Sequence, residues 1–207
     1  MLTDRPPRKA ALSKEFLDSD RLNSLALPSD EHLPALAQSI ESVMKYGTRA
    51  AVRQACAEFL AAASAFYEVP NPQVRALEAR PLRVREGGWA IELFGDYSVD
   101  KTLIRIWTRT AIRKQVTSFG TFLSTLCHEF CHHLDCQRFG FRHSPHTRGF
   151  YERTAVLYHH ARGTPIKQLM WVRAPSGRWR VDWSRMNRRV WHLMPKPEPD
   201  DGNSPGV

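Results

Sequence analysis

The chain is short of cysteine, has no long apolar run and shows no apolar stretch behind its first charged residues, and each shortage shapes what is expected of it. Only four cysteines occur in 207 residues: Cys127 and Cys131 are four apart, Cys136 follows closely, and Cys56 is alone, so there is no C-x-x-C pair. A disulfide scaffold is smaller and richer in cysteine, and free thiols packed in a reduced compartment are expected instead. The longest apolar stretch, Phe59 to Phe66, falls far short of the roughly 20 residues that span a bilayer, so no membrane partner is expected. The early positive charge of MLTDRPPRKAALSKEF has no continuous apolar core behind it. A secretory signal is therefore not read, and an intracellular protein is expected. What remains is 42% hydrophobic residues, enough for one domain with a core, and a net charge of +9.

Residues 1–28 carry Pro6, Pro7, mixed charge and scattered apolar positions, the pattern of a mobile or loosely docked N-terminal arm. Helical periodicity begins after Ser29-Asp30, either of which can cap a helix with Leu33, Leu36, Ala37, Ile40, Val43 and Met44 on its apolar face. A second, alanine-rich helix runs from about 48 to 66 and is stopped by Pro70 and Pro72. The period then falls to two. Leu82–Val84, Trp89–Leu93 and Leu103–Trp107 read as three short strands of a small, mainly antiparallel sheet, the last of them an edge strand with Arg105 and Arg109 on its rim. Helix returns at Ser118 and lasts to about Phe139, where Gly140 closes it, and another helix spans about 146–161 before Gly163-Thr164-Pro165.

The long helix contains His128-Glu129-Phe130-Cys131-His132, an H-E-x-x-H pattern. Histidines four apart on a helix differ by only about 40° around its axis, so both imidazoles can reach one ion. Glu129, about 100° further round, stands where a carboxylate can take a proton from a water that Zn²⁺ has acidified. A catalytic zinc takes a third protein ligand, and His143, His146 and Glu152 are the candidates. His133 points elsewhere on the helix. Cys127 and Cys131 read as core residues. Asp135 is either a partner for a ligand imidazole or an exposed carboxylate. For stabilising an oxyanion, Arg148, Tyr151, Tyr158 and His159 are near in sequence, and spacing singles out none of them.

His128-Glu129-x-x-His132, followed after thirteen residues by His146-Thr147-Arg148-Gly149-Phe150, resembles the paired motifs of the SprT-like metallopeptidases, the group that includes Spartan. A helical lead-in, a small sheet and the motif helix extend the likeness over about residues 30–165. The resemblance implies an α+β, zincin-like minimal metallopeptidase domain over 29–165. It also implies His146 as the third zinc ligand with Phe150 packed beneath it, Glu129 as the catalytic residue, and a protein substrate associated with or cross-linked to DNA. Two features depart from the family pattern: Thr147 stands where a glycine commonly follows the third histidine, and the cysteine-based zinc ribbon of many members is missing.

Acids are scarce in one last place. From Arg162 to Met194 eight Lys and Arg stand against Asp182 alone, which supplies +7 of the chain's +9, and four of the six tryptophans lie there. Met170–Arg173 and Arg178–Trp183 around Pro175-Ser176-Gly177 read as a basic β-hairpin within a 166–194 segment. Arginines among tryptophans suit DNA, with phosphate contacts and base stacking, and equally suit a half-buried strand that packs on the domain. Residues 195–207 read as a disordered tail. The function expected is a zinc-dependent endopeptidase acting on DNA-associated proteins. The alternatives are a regulator- or repressor-cleaving metallopeptidase with no DNA dependence, and a non-catalytic zinc-containing DNA-binding module.

Overall fold

Thr48 and Ser118 cap their helices by accepting from the Ala51 and Thr121 N–H groups, whereas neither Ser29 nor Asp30 is the cap of the helix that follows: that place falls to Glu31, and Asp30 only accepts the His32 N–H from one residue further out. The computed structural model describes residues 1–84 and 90–186. Its order is α1 (Ala10–Arg21), α2 (His32–Tyr46), α3 (Arg49–Phe66), β1 (Gln73–Ala79), β2 (Leu82–Val84), β3 (Ala90–Glu92), β4 (Gly95–Ser98), β5 (Leu103–Arg109), α4 (Phe119–Gln137), α5 (Arg148–Arg162), β6 (Trp171–Arg173) and β7 (Trp179–Val181). The architecture is α+β, with small sheets against a helical core, as expected.

The sheet differs from its expected form. β5 is central, not an edge: β1 pairs with it in parallel from Gln73 opposite Leu103, and β4 pairs antiparallel on its other side, Gly95 opposite Ile106. The sequence marks strand β1 only weakly, because its inward residues, Val74 and Ala76, are small and follow two prolines. Arg105 does stand on the outer surface, and it forms a two-point ion pair with Asp96 across the β4–β5 ladder. β2 and β3 form a separate two-stranded ribbon. The middle strand read from Trp89 lies partly outside the described residues, as do the tail from 195 and the end of the basic segment.

α3 packs on β1, and α4 lies across β4 and β5 and against α5. Phe122, Leu123, Leu126, Phe130 and Leu134 on α4 are all no more than 1% exposed. Burying each large apolar side chain contributes about 1.5–3 kcal/mol, so the motif helix is a rigid platform.

Of the two expectations for the N-terminal segment, a mobile arm or a docked one, the contacts follow the second. Residues 1–3 run beside the β6–β7 hairpin: the Thr3 N–H donates to the Trp179 carbonyl at 2.8 Å and Leu2 bridges Arg180. α1 then crosses α5, where Gly149 admits it. A Cβ at position 149 would stand 2.2 Å from the Ser19 carbonyl oxygen. Arg153, fully buried on α5, donates to the carbonyls of Ser19 and Leu22 and to Asp135 Oδ1 at 2.7 Å.

Candidate metal centre

His128 and His132 project from one side of α4, and His146 reaches them from the loop that precedes α5. Their Nε2 atoms converge: His128 Nε2 lies 3.1 Å from that of His146 and 3.2 Å from that of His132. A neutral imidazole carries at most one ring proton, so His128 cannot satisfy both neighbours as a donor. An ion can. Nitrogens about 2.0–2.1 Å from a tetrahedral zinc lie about 3.3 Å apart, close to the two spacings at His128, and the ligand atoms of all three residues lie within 4.8 Å of one another. These three histidines are the only grouping of histidine, cysteine, aspartate or glutamate with metal-ligand spacing among the described residues.

Two of the imidazoles are oriented through Nδ1. Ser144 donates its hydroxyl proton to Asp135 Oδ2 at 2.9 Å, so its oxygen is left to accept from His132 Nδ1 at 2.7 Å. His146 Nδ1 faces Asp4 Oδ2 at 3.3 Å. In each case the proton sits on Nδ1 and the Nε2 lone pair is free for a cation. Burial pushes His128 down to about 3, with the nearby His146 adding to the effect, and it pushes His132 well below the ordinary histidine range. Both are therefore neutral near pH 7, the form that binds metals. Phe150, fully buried, forms a floor, its ring centre 4.5 Å from His132, 4.9 Å from His128 and 5.1 Å from His146.

Glu129 follows His128 and turns toward β4. It is 6% exposed, and burial, with Asp96 nearby as a smaller cause, pushes its carboxyl up to about 8. Gly95 lies directly against it. β4 is an edge strand: among the described residues no other strand pairs with its outer side.

The other candidates are occupied elsewhere. His143 is turned to Glu15 at 2.9 Å, and Glu152 accepts from Trp171 Nε1 at 2.8 Å, so neither joins the cluster. His133 is buried, with Nε2 bonded to the Pro70 carbonyl at 2.7 Å and Nδ1 to the Tyr97 hydroxyl at 2.9 Å, so it ties α4 to β4 instead of facing solvent. Cys56, Cys127 and Cys131 are core residues with thiols pushed far up by burial, and Cys136 is half-buried. Asp135 is buried, not an exposed helix carboxylate. Arg148 is bound by Asp20 and stacked on Trp179, and the Tyr151 hydroxyl donates to the Leu2 carbonyl. Tyr158 and His159 lie toward the other end of α5, where His159 contacts Thr164.

Sequence reasoning missed Ser144, Asp4 and Gly95. Ser144 lies between two candidate histidines and could have been tested as an acceptor. Nothing in the pattern marks Asp4. Comparison with known proteins returns no match: no family model fits the chain, and no curated protein or solved structure is significantly similar to it.

Proposed function

We propose that the chain is a zinc-dependent endopeptidase in which His128, His132 and His146 hold the ion and Glu129 is the general base. One observation carries the reading: a buried carboxylate stands one residue from a convergent three-histidine set, beside an open sheet edge. A structural zinc site is closed by four protein ligands, whereas three ligands leave a position for substrate or water. No fourth ligand joins the set among the described residues. That favours a reaction over a purely structural ion.

A bound Zn²⁺ supplies a Lewis acid that polarises a carbonyl and brings water ionisation near neutral pH. Glu129, held as a carboxylate by the nearby cation, takes the proton from the attacking water and returns it to the departing amine nitrogen. Water adds across the C–N bond, leaving a carboxylate and an amine. An extended peptide can lie along the β4 edge through main-chain hydrogen bonds, which suits an unfolded protein segment as substrate.

The nucleic-acid part of the proposal rests on less of the basic segment than its composition suggests. Trp171 is tied to Glu152, and Trp179 to Arg148. Exposed Lys167, Arg173, Arg180 and Trp183 remain for phosphates and bases. A salt titration of single-stranded and duplex DNA binding tests this part: Arg173→Ala/Arg180→Ala should weaken binding and flatten the salt dependence. Casein cleavage that is unchanged by DNA would favour a peptidase with no DNA dependence.

The decisive variant for catalysis is Glu129→Gln. It should bind zinc normally and lose about 10²–10⁴-fold in casein cleavage. Full activity with zinc bound would overturn the assignment of Glu129, and undiminished zinc affinity in His146→Ala would overturn the ligand set.

A further inference from the structure

The loop that carries His146 is gripped from outside by three carboxylates of the N-terminal segment, each in the same way. Asp4 Oδ2 accepts the His146 main-chain N–H at 2.9 Å and faces its Nδ1 at 3.3 Å. Glu15 accepts the main-chain N–H of His143 at 2.7 Å and its Nδ1 at 2.9 Å. Asp20 Oδ1 accepts the main-chain N–H of Arg148 at 2.9 Å and its Nε at 3.2 Å. Each acid thus binds the backbone and side chain of a single residue. The Asp4 N–H returns a bond to the His146 carbonyl at 2.8 Å, and Ser19 meets Thr147 through their hydroxyls at 3.0 Å.

This pattern goes beyond docking. Without it, residues 142–147 form an irregular connection whose own internal bonds are short-range turns, such as Ser144 N–H to the Phe141 carbonyl. Two ligands sit on a rigid helix, so the position of the third decides whether the set converges. A carboxylate that holds both the backbone and Nδ1 of that residue fixes its place and its tautomer together. The contacts come from residues more than 120 positions away.

We propose that residues 4–20 form a clasp that sets the third ligand, with Asp4 as the positioning residue that holds His146 with its proton on Nδ1 and its Nε2 toward the ion. The proposal rests on the three-histidine reading of the site. It makes metal affinity depend on whether the N-terminal segment is seated, so any partner or cleavage that unseats the segment lowers zinc occupancy without touching a ligand.

The test uses the full chain and two readouts independent of turnover. Zn²⁺ affinity is measured by competition with a chromophoric chelator, and the tautomer of His146 by long-range ¹H–¹⁵N correlation in metal-free protein. Asp4→Ala should bind Zn²⁺ about 10–100-fold more weakly and lose the preference of His146 for Nδ1–H. Asp4→Asn keeps an acceptor oxygen at the same reach and should recover most of both, which a merely structural defect would not. Asp18→Ala, which removes a carboxylate on α1 that pairs, among the described residues, only with Lys14 and Arg21 of its own helix, should match wild type. Wild-type affinity and an unchanged tautomer in Asp4→Ala would overturn the clasp and leave the metal site standing. If wild type itself binds no Zn²⁺, the site reading fails, and the tautomer measurement still decides whether Asp4 orients His146.

Discussion

Gly95 and Glu129 touch across the gap between β4 and α4 with no room for a methyl group: a Cβ at position 95 would stand 2.9 Å from Glu129 Cγ, 3.0 Å from its Oε1 and 2.6 Å from Thr125 Cγ2. The strand therefore fixes where the carboxylate sits. Gly95→Ala leaves the three histidines untouched and forces Glu129 aside. It is expected to bind Zn²⁺ as wild type does and to cleave casein on the order of 10²-fold more slowly, the usual effect of displacing a reacting group by about 1 Å. Metal content and initial rates measured on one preparation check it.

The raised Glu129 carboxyl also gives the metal-free protein a pH signature. A carboxyl raised from its ordinary 4.5 to about 8 binds protons in the folded state that the unfolded chain has released. Its contribution to stability is complete below the unfolded value and is lost as pH rises toward 8. The depressed histidines act in the opposite sense, adding stability as pH rises and levelling off about one pH unit above their ordinary 6.5, so they offset part of the loss at the start of the next interval. Between pH 6.5 and 8 the metal-free protein is therefore expected to lose about 2 kcal/mol from this one group. Glu129→Gln should remove that slope in urea unfolding with chelator present, and saturating Zn²⁺ should flatten it in wild type, because a nearby cation favours the carboxylate.

The parts that were legible in the sequence are those encoded locally. The α4 motif places two imidazoles by helical spacing alone, and the caps at Thr48 and Ser118 follow from one residue each. The paired motif sets His146 apart from His143 and Glu152, and the geometry brings it to the other two histidines. The illegible parts depend on distant partners. β5 looked like an edge because its parallel neighbour, β1, carries only Val74 and Ala76 inward and gives a weak alternation. The N-terminal acids at 4, 15 and 20 have no period, since they grip main-chain N–H groups that any residue would offer. The tryptophans of the hairpin alternate in the same way whether they stack on bases or pack, and it takes the contacts of Trp171 with Glu152 and with the Tyr151 ring to show that it is engaged in packing.

Ser144 should matter more than its position in a loop suggests. Its hydroxyl is the single link between His132 and the buried Asp135. Ser144→Ala leaves His132 Nδ1 with no acceptor from that side and Asp135 with one donor fewer. An orienting partner of this kind is worth about 10–100-fold in metal affinity. Zinc competition should show that loss, while the circular dichroism of the folded protein stays unchanged.

Asp135 connects this link to the stability of the whole domain. Arg153 and Asp135 are 1% and 0% exposed as side chains and 2.7 Å apart, and Arg153 also holds the Ser19 and Leu22 carbonyls at the end of α1. Truncating the arginine strands a buried carboxylate and frees the helix that bears Glu15 and Asp20. Arg153→Met is expected to cost about 3–5 kcal/mol in urea unfolding, the range for a broken buried pair. Adding Asp135→Asn removes the stranded charge, keeps an oxygen for the Ser144 hydroxyl, and should restore part of the stability. Zinc affinity should not recover in parallel, because α1 still lacks its anchor and the loop carrying His146 is held less firmly. Full recovery of affinity in the double variant would show that Arg153 serves the core alone.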